Sequence, residues 1–245
     1  MARCYVERVT TKYWLICLVA AMSVPAMSAS VLACGGGDKP KPAVPAAPPL
    51  PPASTGPSAS LLSPDSAALA TKAPDTFSIV LNTSKGEIEI EVKRSLAPRG
   101  ADRLYYLASN GYFNGSRFFR VVYGFVAQFG LSGIPMIDRE WDTRTLMDDP
   151  PKISNTRGTV VFAKNKPNGR ATQLFINLKD NSAALDKQKF TPVGRVVRGM
   201  DVAAQLLSTY GDLPNQKGLI MSQGNKYLRQ RYPELDTIAS VTVKK

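Results

Sequence analysis

Short apolar stretches with the period of β-strands mark the folded part of the chain. Residues 77–81 are apolar except for Ser78, and residues 87–92 alternate charged and apolar side chains with a period of two. This alternation is typical of a strand with one buried face. A polar turn at 83–86 separates the two stretches, which together predict a hairpin. Further strand-like stretches follow at 118–122, 125–129, 159–163, 174–177 and 238–243.

Two helices are predicted between these strands. Ala97-Pro98 opens the first, because proline is tolerated in the first turn of a helix, and Gly111 stands where its C-cap is expected. The second follows Gly199 and repeats apolar residues at helical spacing. Many short strands with two separated helices predict a mostly β domain, a closed antiparallel β-barrel of about eight strands capped by two α-helices. Periodicity alone leaves a β-sandwich or an α+β sheet open.

Residues 1–33 have the pattern of a signal peptide of the lipoprotein type. Basic residues precede an apolar run at 13–22, which is shorter than the roughly 20 residues that span a bilayer. The tetrad Val-Leu-Ala-Cys that ends at Cys34 resembles a bacterial lipobox, in which the cysteine becomes the lipidated N-terminus after cleavage. The alternative is an incidental thiol behind an ordinary cleavage site after Ala29, and a soluble periplasmic or secreted protein.

Residues 34–75 comprise the lipidated cysteine and a linker rich in Pro, Ala and Ser. Such a composition buries little apolar surface, so the linker is predicted to be disordered and to hold a domain at 76–245 away from the membrane. Gly35, rather than Asp, follows the cysteine, which favours the outer over the inner membrane. We therefore expect a lipid-anchored protein of the cell envelope with its domain in the periplasm.

Composition excludes several classes of enzyme. The chain has no histidine, which rules out Ser-His-Asp and Cys-His catalysis and histidine-ligated zinc. All three cysteines precede residue 35, so the predicted domain has no thiol chemistry. The net charge is +12, but basic residues never exceed two in a row, which favours an ordinary solvated surface over nucleic-acid binding. Without a phosphate-binding loop or a cluster of ligating residues, we expect no cofactor and no metal.

Three segments, 118–130, 161–177 and 185–202, carry the candidate chemistry. The first reads Phe-x-Arg-Val and then Phe-x-x-Gln-x-Gly, the second contains Gln-x-Phe-Ile, and the third contains Leu-Asp and Gly-x-Val-x-x-Gly-Met-Asp-Val. In this order and spacing they resemble the cyclophilin family of peptidyl-prolyl cis/trans isomerases over about residues 76–243, and among its members the divergent secreted bacterial ones. The resemblance implies a cyclophilin-like fold and an enzyme that accelerates X–Pro bond rotation in exported proteins and assists their folding in the cell envelope.

The resemblance also implies roles for individual residues. Arg120 looks like the catalytic arginine, and Gln128 stands beside it in the catalytic set, while Gln173 looks like a second polar group that holds the substrate backbone. The residues that resemble the wall of the proline pocket are Phe125, Val126, Phe175, Leu185 and Phe190. Lys164 and Asn165 fall in the loop that pairs with the peptide.

Elementary chemistry is consistent with these roles in an enzyme without histidine. Rotation about an X–Pro amide must overcome a barrier of roughly 18–20 kcal/mol, because the twisted state loses its resonance. The prolyl nitrogen gains a lone pair as conjugation is lost, so a hydrogen bond from an arginine stabilises the twisted state more than the planar one. The expected substrates are unfolded or flexible polypeptides that contain proline, and we expect a monomer with no nucleic-acid partner.

Departures from the family pattern leave other functions open. Phe119 stands where the family usually has His, Phe190 stands where His or Tyr is common, and the role of the irregular stretch 131–150 is not predicted. One alternative is a binding module that grips proline peptides without turnover. Another is a structural envelope lipoprotein that binds anionic polymers through its basic charge.

Overall fold

The computed structural model describes residues 57–245 of the chain. The predicted signal peptide, Cys34 and the first part of the predicted linker lie outside the described residues. Within residues 57–245, the helices are all too short or too polar to cross a membrane.

One eight-stranded antiparallel sheet forms the centre of the domain. Its strands are β1 (Thr76–Thr83), β2 (Gly86–Lys93), β3 (Arg120–Val122), β4 (Val126–Phe129), β5 (Thr159–Phe162), β6 (Leu174–Asn177), β7 (Pro192–Arg198) and β8 (Ile238–Lys244). They lie in the order β3-β4-β6-β5-β7-β2-β1-β8. The predicted hairpin is confirmed as β1–β2, whereas β7 was not predicted as a strand.

The sheet curls into a half-barrel whose strand ladder is open between β3 and β8. The isolated bridge Arg117 to Thr237 and three backbone hydrogen bonds, between residues 115–118 and 236–238, join the chain near the starts of these two strands. The free edge of β3 faces another part of the chain, because the N–H of Val121 donates to the carbonyl of Gly211 at 3.2 Å. The predicted antiparallel arrangement of about eight strands is therefore confirmed, whereas the predicted closure of the barrel is not, because β3 and β8 do not pair with each other in the described residues.

The described residues contain more α-helix than the two predicted segments. The α-helices are α1 (Ser66–Leu69), α2 (Pro98–Ser109), α3 (Pro135–Asp142), α4 (Ser182–Leu185), α5 (Met200–Ala204), α6 (Lys217–Gln223) and α7 (Asn225–Arg231). The predicted helices correspond to α2 and α5, and Gly111, just after α2, has a φ of +72°. The prediction of two helices was wrong: the described residues contain five further α-helices of four to eight residues, over which a helical period is hard to recognise.

Alternating side chains of the sheet and one face of α2 form the main core. In β2, Ile88, Ile90 and Val92 are fully buried, while the glutamates between them face outward. Leu104 of α2 packs into the same cluster. Burial of each such side chain contributes about 1.5–3 kcal/mol, so the period of two seen in the sequence is sufficient to orient this strand.

The start of the domain lies before residue 76, the predicted boundary. Residues 57–75 form a short 3-10 turn (Ala59–Leu61) and α1, and Leu61 is fully buried. The indole nitrogen of Trp141 donates to the carbonyl of Leu61 at 2.9 Å. This part of the predicted linker thus packs against the domain through one leucine that inserts into the core.

Candidate active site

The β3–β4 hairpin places two of the predicted residues directly opposite each other. Arg120 and Gln128 are cross-strand partners in this pair. Residues 123–125 form the connection, and Gly124 has a φ of +61°, which suits the left-handed position of a three-residue hairpin loop. The stretch 118–130 is thus two strands and a turn, and pairing rather than a continuous strand brings the arginine and the glutamine together.

A line of polar side chains extends from Arg120 across the sheet. An Nη1–H of Arg120 lies 3.5 Å from Oε1 of Gln128, and Nε2 of Gln128 donates to Oε1 of Gln173 at 3.0 Å. Gln128 is buried, so these amide contacts are protected from solvent. The guanidinium carbon of Arg120 lies 5.8 Å from the centre of the Phe125 ring.

A small apolar cup stands next to this polar line. Val126, Phe175 and Leu185 are buried in one cluster, against which Phe125 and Phe190 pack. The rings of Phe175 and Phe190 lie 5.7 Å apart in an edge-to-face arrangement, which is a favourable geometry for aromatic pairs.

The loop between β5 and β6 forms the next part of the rim. Nζ of Lys164 donates to Oδ2 of Asp148 at 2.8 Å and lies 5.7 Å from the centre of the Phe190 ring. Asn165 follows it and is exposed. Burial acts to raise the pKa of Asp148, but hydrogen bonds from Lys164 and from the N–H of Asn168 outweigh it and hold the pKa below its usual value.

The stretch 131–150, whose role was left open, closes one side of the site. Asp138 in α3 accepts hydrogen bonds from the N–H groups of Ser132 and Gly133 at 2.7 and 3.1 Å, which orders the start of the stretch. Further along, Asp142 and Thr145 line the same groove as Arg120.

All ten predicted site residues within the described part of the chain line a single groove of about 620 Å³. They are Arg120, Phe125, Val126, Gln128, Lys164, Asn165, Gln173, Phe175, Leu185 and Phe190. The groove also has lining residues that were not predicted, which are Asp142, Thr145, Ala163, Lys166, Gly169, Ala171, Gln188, Asp212, Asn215 and Lys217. Cys34, the predicted lipidation site, lies outside the described residues.

Three of the unpredicted residues come from a polar segment before β8. Asp212 accepts a hydrogen bond from Nε of Arg120, and this bond lowers the pKa of the Asp212 carboxyl below its usual value. Asn215 lies beside it, and Nζ of Lys217 lies 2.5 Å from a carboxylate oxygen of Asp142 on α3. Residues 210–217 show no periodicity or motif that points to the groove, so the sequence carries no signal that could have found them.

The arrangement combines a fixed cation, amide groups and an apolar cup in one open groove. Such a site can hold an uncharged ring in the cup and donate hydrogen bonds to the peptide group next to it. The two carboxylates of the lining, Asp142 and Asp212, are both paired with cations. The geometry therefore favours binding and electrostatic stabilisation over proton transfer.

A family model and the similar proteins of known family all point to the same family. The family model described as cyclophilin-type peptidyl-prolyl cis-trans isomerase/CLD matches residues 78–224. A peptidyl-prolyl cis-trans isomerase of Acinetobacter baylyi is 30% identical over 155 residues, which are 59% of this chain and 82% of that protein. A probable peptidyl-prolyl cis-trans isomerase of Brucella abortus is 32% identical over 139 residues, 52% of this chain and 70% of its own length.

Solved structures support the fold. The crystal structure of a cyclophilin-type peptidyl-prolyl cis-trans isomerase of Cryptosporidium parvum superposes with a TM-score of 0.51 at 16% sequence identity, covering 69% of this chain and 98% of that one. This likeness supports the curled eight-stranded sheet with its helices and carries no argument about activity. Because the family model spans more than half of the chain, the chain belongs to the cyclophilin-type peptidyl-prolyl cis-trans isomerase family and is an isomerase enzyme.

Proposed function

We propose that this isomerase accelerates cis/trans rotation of X–Pro bonds in exported polypeptides through a hydrogen bond from Arg120 to the prolyl nitrogen. One observation carries the proposal: a guanidinium lies next to an apolar cup in the same groove, 5.8 Å from the Phe125 ring. The cup accepts the proline ring, and the groups around Gln128 and Gln173 hold the peptide backbone.

The rate enhancement follows from the change in the prolyl nitrogen during rotation. In the planar amide its lone pair is conjugated and accepts hydrogen bonds poorly, whereas in the twisted state it is free. A donor fixed beside that atom therefore binds the twisted state more tightly, which lowers the barrier. Arginine suits this task because it stays charged and carries several donors in a rigid plane.

The test is a protease-coupled assay on a proline tetrapeptide with wild type and Arg120→Ala. We expect kcat/KM to fall by about a hundredfold or more, the usual effect of removing one preorganised donor to a transition state. The matched control is Arg198→Ala, which removes an exposed guanidinium that pairs with Glu87 and Glu89 on the sheet. Equal rates for wild type and Arg120→Ala would contradict a catalytic role for Arg120. A wild type that binds proline peptides without turnover would favour a binding module.

A role in the cell envelope is part of the same proposal, and it rests on the sequence of the first 34 residues. A diacylated Cys34 would anchor the protein stably, since two acyl chains bind a bilayer far more firmly than one. From this position the domain would assist the folding of exported proteins at the outer membrane and belong to the divergent bacterial lipoprotein members of the family.

Mass spectrometry of the mature N-terminus tests the anchor. We expect the wild type in the membrane fraction to begin at an acylated Cys34, and Cys34→Ser to lose both the acyl mass and the membrane association. Cys17→Ser, a change inside the apolar run of the signal peptide, serves as the control and should leave the mature protein unaltered. An unmodified N-terminus after Ala29 would instead indicate the soluble periplasmic or secreted form.

A further inference from the structure

The segment between α5 and β8 forms a small unit of its own beside the active site. We call residues 207–235, which include α6 and α7, the arm. Its apolar side chains share a buried cluster with two residues from elsewhere in the chain. The members of the cluster are Phe119, Leu131, Ile220, Tyr227, Leu228 and Leu235.

Phe119 explains how the arm is attached. It stands where the family usually has His, and in this chain it is buried with 1% of its surface exposed. Because successive side chains of an extended chain point to opposite sides, Phe119 enters the arm cluster while its neighbour Arg120 lies in the groove. One residue further on, the N–H of Val121 donates to the carbonyl of Gly211 at 3.2 Å. The arm is therefore fastened to the chain on both sides of Arg120.

This attachment of the arm places the carboxylate of Asp212 against the guanidinium of Arg120. Oδ1 of Asp212 accepts from Nε of Arg120 and also lies 3.4 Å from Nδ2 of Asn215. The hydroxyl of Tyr232 donates to the carbonyl of Leu213 at 3.1 Å, which ties the loop back to the end of α7. Asp212 is thus held by contacts within the arm rather than by Arg120 alone.

The contact occupies one edge of the guanidinium and leaves the other edge available. Arginine has its donors on Nε and on two Nη atoms, arranged in a plane. Asp212 takes Nε, and Gln128 lies within 3.5 Å of Nη1. With both contacts made, rotation of the guanidinium about its stem is restricted, and Arg120 lines the same groove as the apolar cup.

We propose that Asp212 is a positioning residue that holds the guanidinium of Arg120 in the orientation required for its Nη donors to reach the prolyl nitrogen. This inference rests on the proposed function, since it gives Asp212 a role only through Arg120. The family resemblance of the 118–130 segment does not contain this carboxylate, because the arm supplies it from more than 80 residues further along the chain. The lowered pKa of the Asp212 carboxyl is consistent with a contact that persists at neutral pH.

The size of the effect follows from the exposure of the pair. The Asp212 side chain is 65% exposed, and the Arg120 side chain is 23% exposed. Ion pairs of this kind are partly screened by water, so loss of the carboxylate should lower kcat by about two- to fivefold. KM should change by less than about twofold, because the cup and the amide groups that bind the substrate stay in place.

The experiment measures kcat and KM separately for wild type, Asp212→Ala, Asp212→Asn and Arg120→Ala on the same proline tetrapeptide. Asp212→Asn keeps the size of the side chain and one acceptor oxygen, and we expect it to recover at least half of the kcat lost in Asp212→Ala. Asp75→Ala removes an exposed carboxylate outside the three motif segments and outside the groove lining, and should leave kcat unchanged.

Two results would overturn the positioning role while leaving the proposed function intact. One is an unchanged kcat for Asp212→Ala together with a large loss for Arg120→Ala. The other is a loss for Asp212→Ala that appears in KM alone, which would make Asp212 a substrate contact. Wild-type activity in Arg120→Ala would instead contradict the proposed function itself, and the two failures are therefore distinguishable.

Discussion

Asp148 and Asp149 both pair with the buried guanidinium of Arg170, at 3.2 and 3.0 Å, but each carboxylate also contacts a second part of the molecule. Asp149 accepts from the N–H groups of Arg99 and Gly100 at 3.2 and 3.0 Å, in the first turn of α2. The N-cap residue of that helix, Ala97, makes no side-chain hydrogen bond, so Asp149 supplies both the acceptors and the negative charge that a helix N-terminus favours. Asp148 instead holds Lys164 at the rim of the groove.

The lowered pKa of Asp148 predicts a pH dependence of stability. A carboxylate whose pKa is lower in the folded than in the unfolded state contributes stability above the unfolded value of about 3.9, and this contribution is lost as pH falls through the folded pKa. We expect the free energy of unfolding to decrease as the pH falls from about 5 through the folded-state pKa. Asp148→Asn should flatten this decrease, as measured by urea unfolding at a series of pH values.

Lys164→Met provides the matched variant for this measurement, because it removes the donor rather than the acceptor. If the Lys164–Asp148 pair is responsible, the double variant should have nearly the same free energy of unfolding as either single variant. A pH profile of Asp148→Asn that parallels the wild type would show that this carboxylate does not contribute to the acid sensitivity.

At the scale of elements, the segment 57–75 acts as a strap on the outside of α2 and α3. Besides the contact of Leu61 with Trp141, the N–H of Ala73 donates to Oδ1 of Asp102 in α2 at 2.8 Å. α3 ends at Asp142, which lines the groove, so the strap supports an element that contributes to the site.

The contribution of the strap to stability can be tested at Leu61, with the neighbouring Leu62 as the control. Leu61→Ala should lower the free energy of unfolding by about 2 kcal/mol, at the low end for a buried leucine because the strap is peripheral. Leu62→Ala, which changes a side chain that is 44% exposed, should alter it by less than about 0.5 kcal/mol. Urea unfolding of both variants makes the comparison, and equal losses would mean that the buried position of Leu61 does not matter.

For the whole molecule, strand pairing assembles the site from distant parts of the chain. In the β4–β6 pair, Gln128 is opposite Phe175, and the β3–β4 pair has already placed Arg120 opposite Gln128. The polar line and the cup are therefore consecutive positions across three strands, although Arg120 and Phe175 are far apart in sequence. The site lies on the face of the sheet opposite the main core, because Val121, Ala127 and Ile176 enter that core whereas the residues next to them, Arg120, Gln128 and Phe175, line the groove.

The sequence alone determined seven of the eight strands, helices α2 and α5, the family, and the ten groove residues that lie in three motif segments. These features depend on local periodicity and on residue types at fixed spacing, both of which are visible in one chain. Prediction was weakest where local signals are weak: β7 was not predicted as a strand, and a helix such as α6, with seven residues, is too short for a helical period to be recognised.

Only the tertiary structure decided that the ladder stays open, that residues 57–75 are packed and that Asp212 meets Arg120. Each of these depends on a contact between segments that are far apart along the chain, such as Val121 with Gly211 or Leu61 with Trp141. Neither partner of such a contact carries a pattern that identifies the other. The physical reason is that a polar loop or a single leucine is stabilised by contacts with a surface from another part of the chain. That surface exists only after the chain has folded.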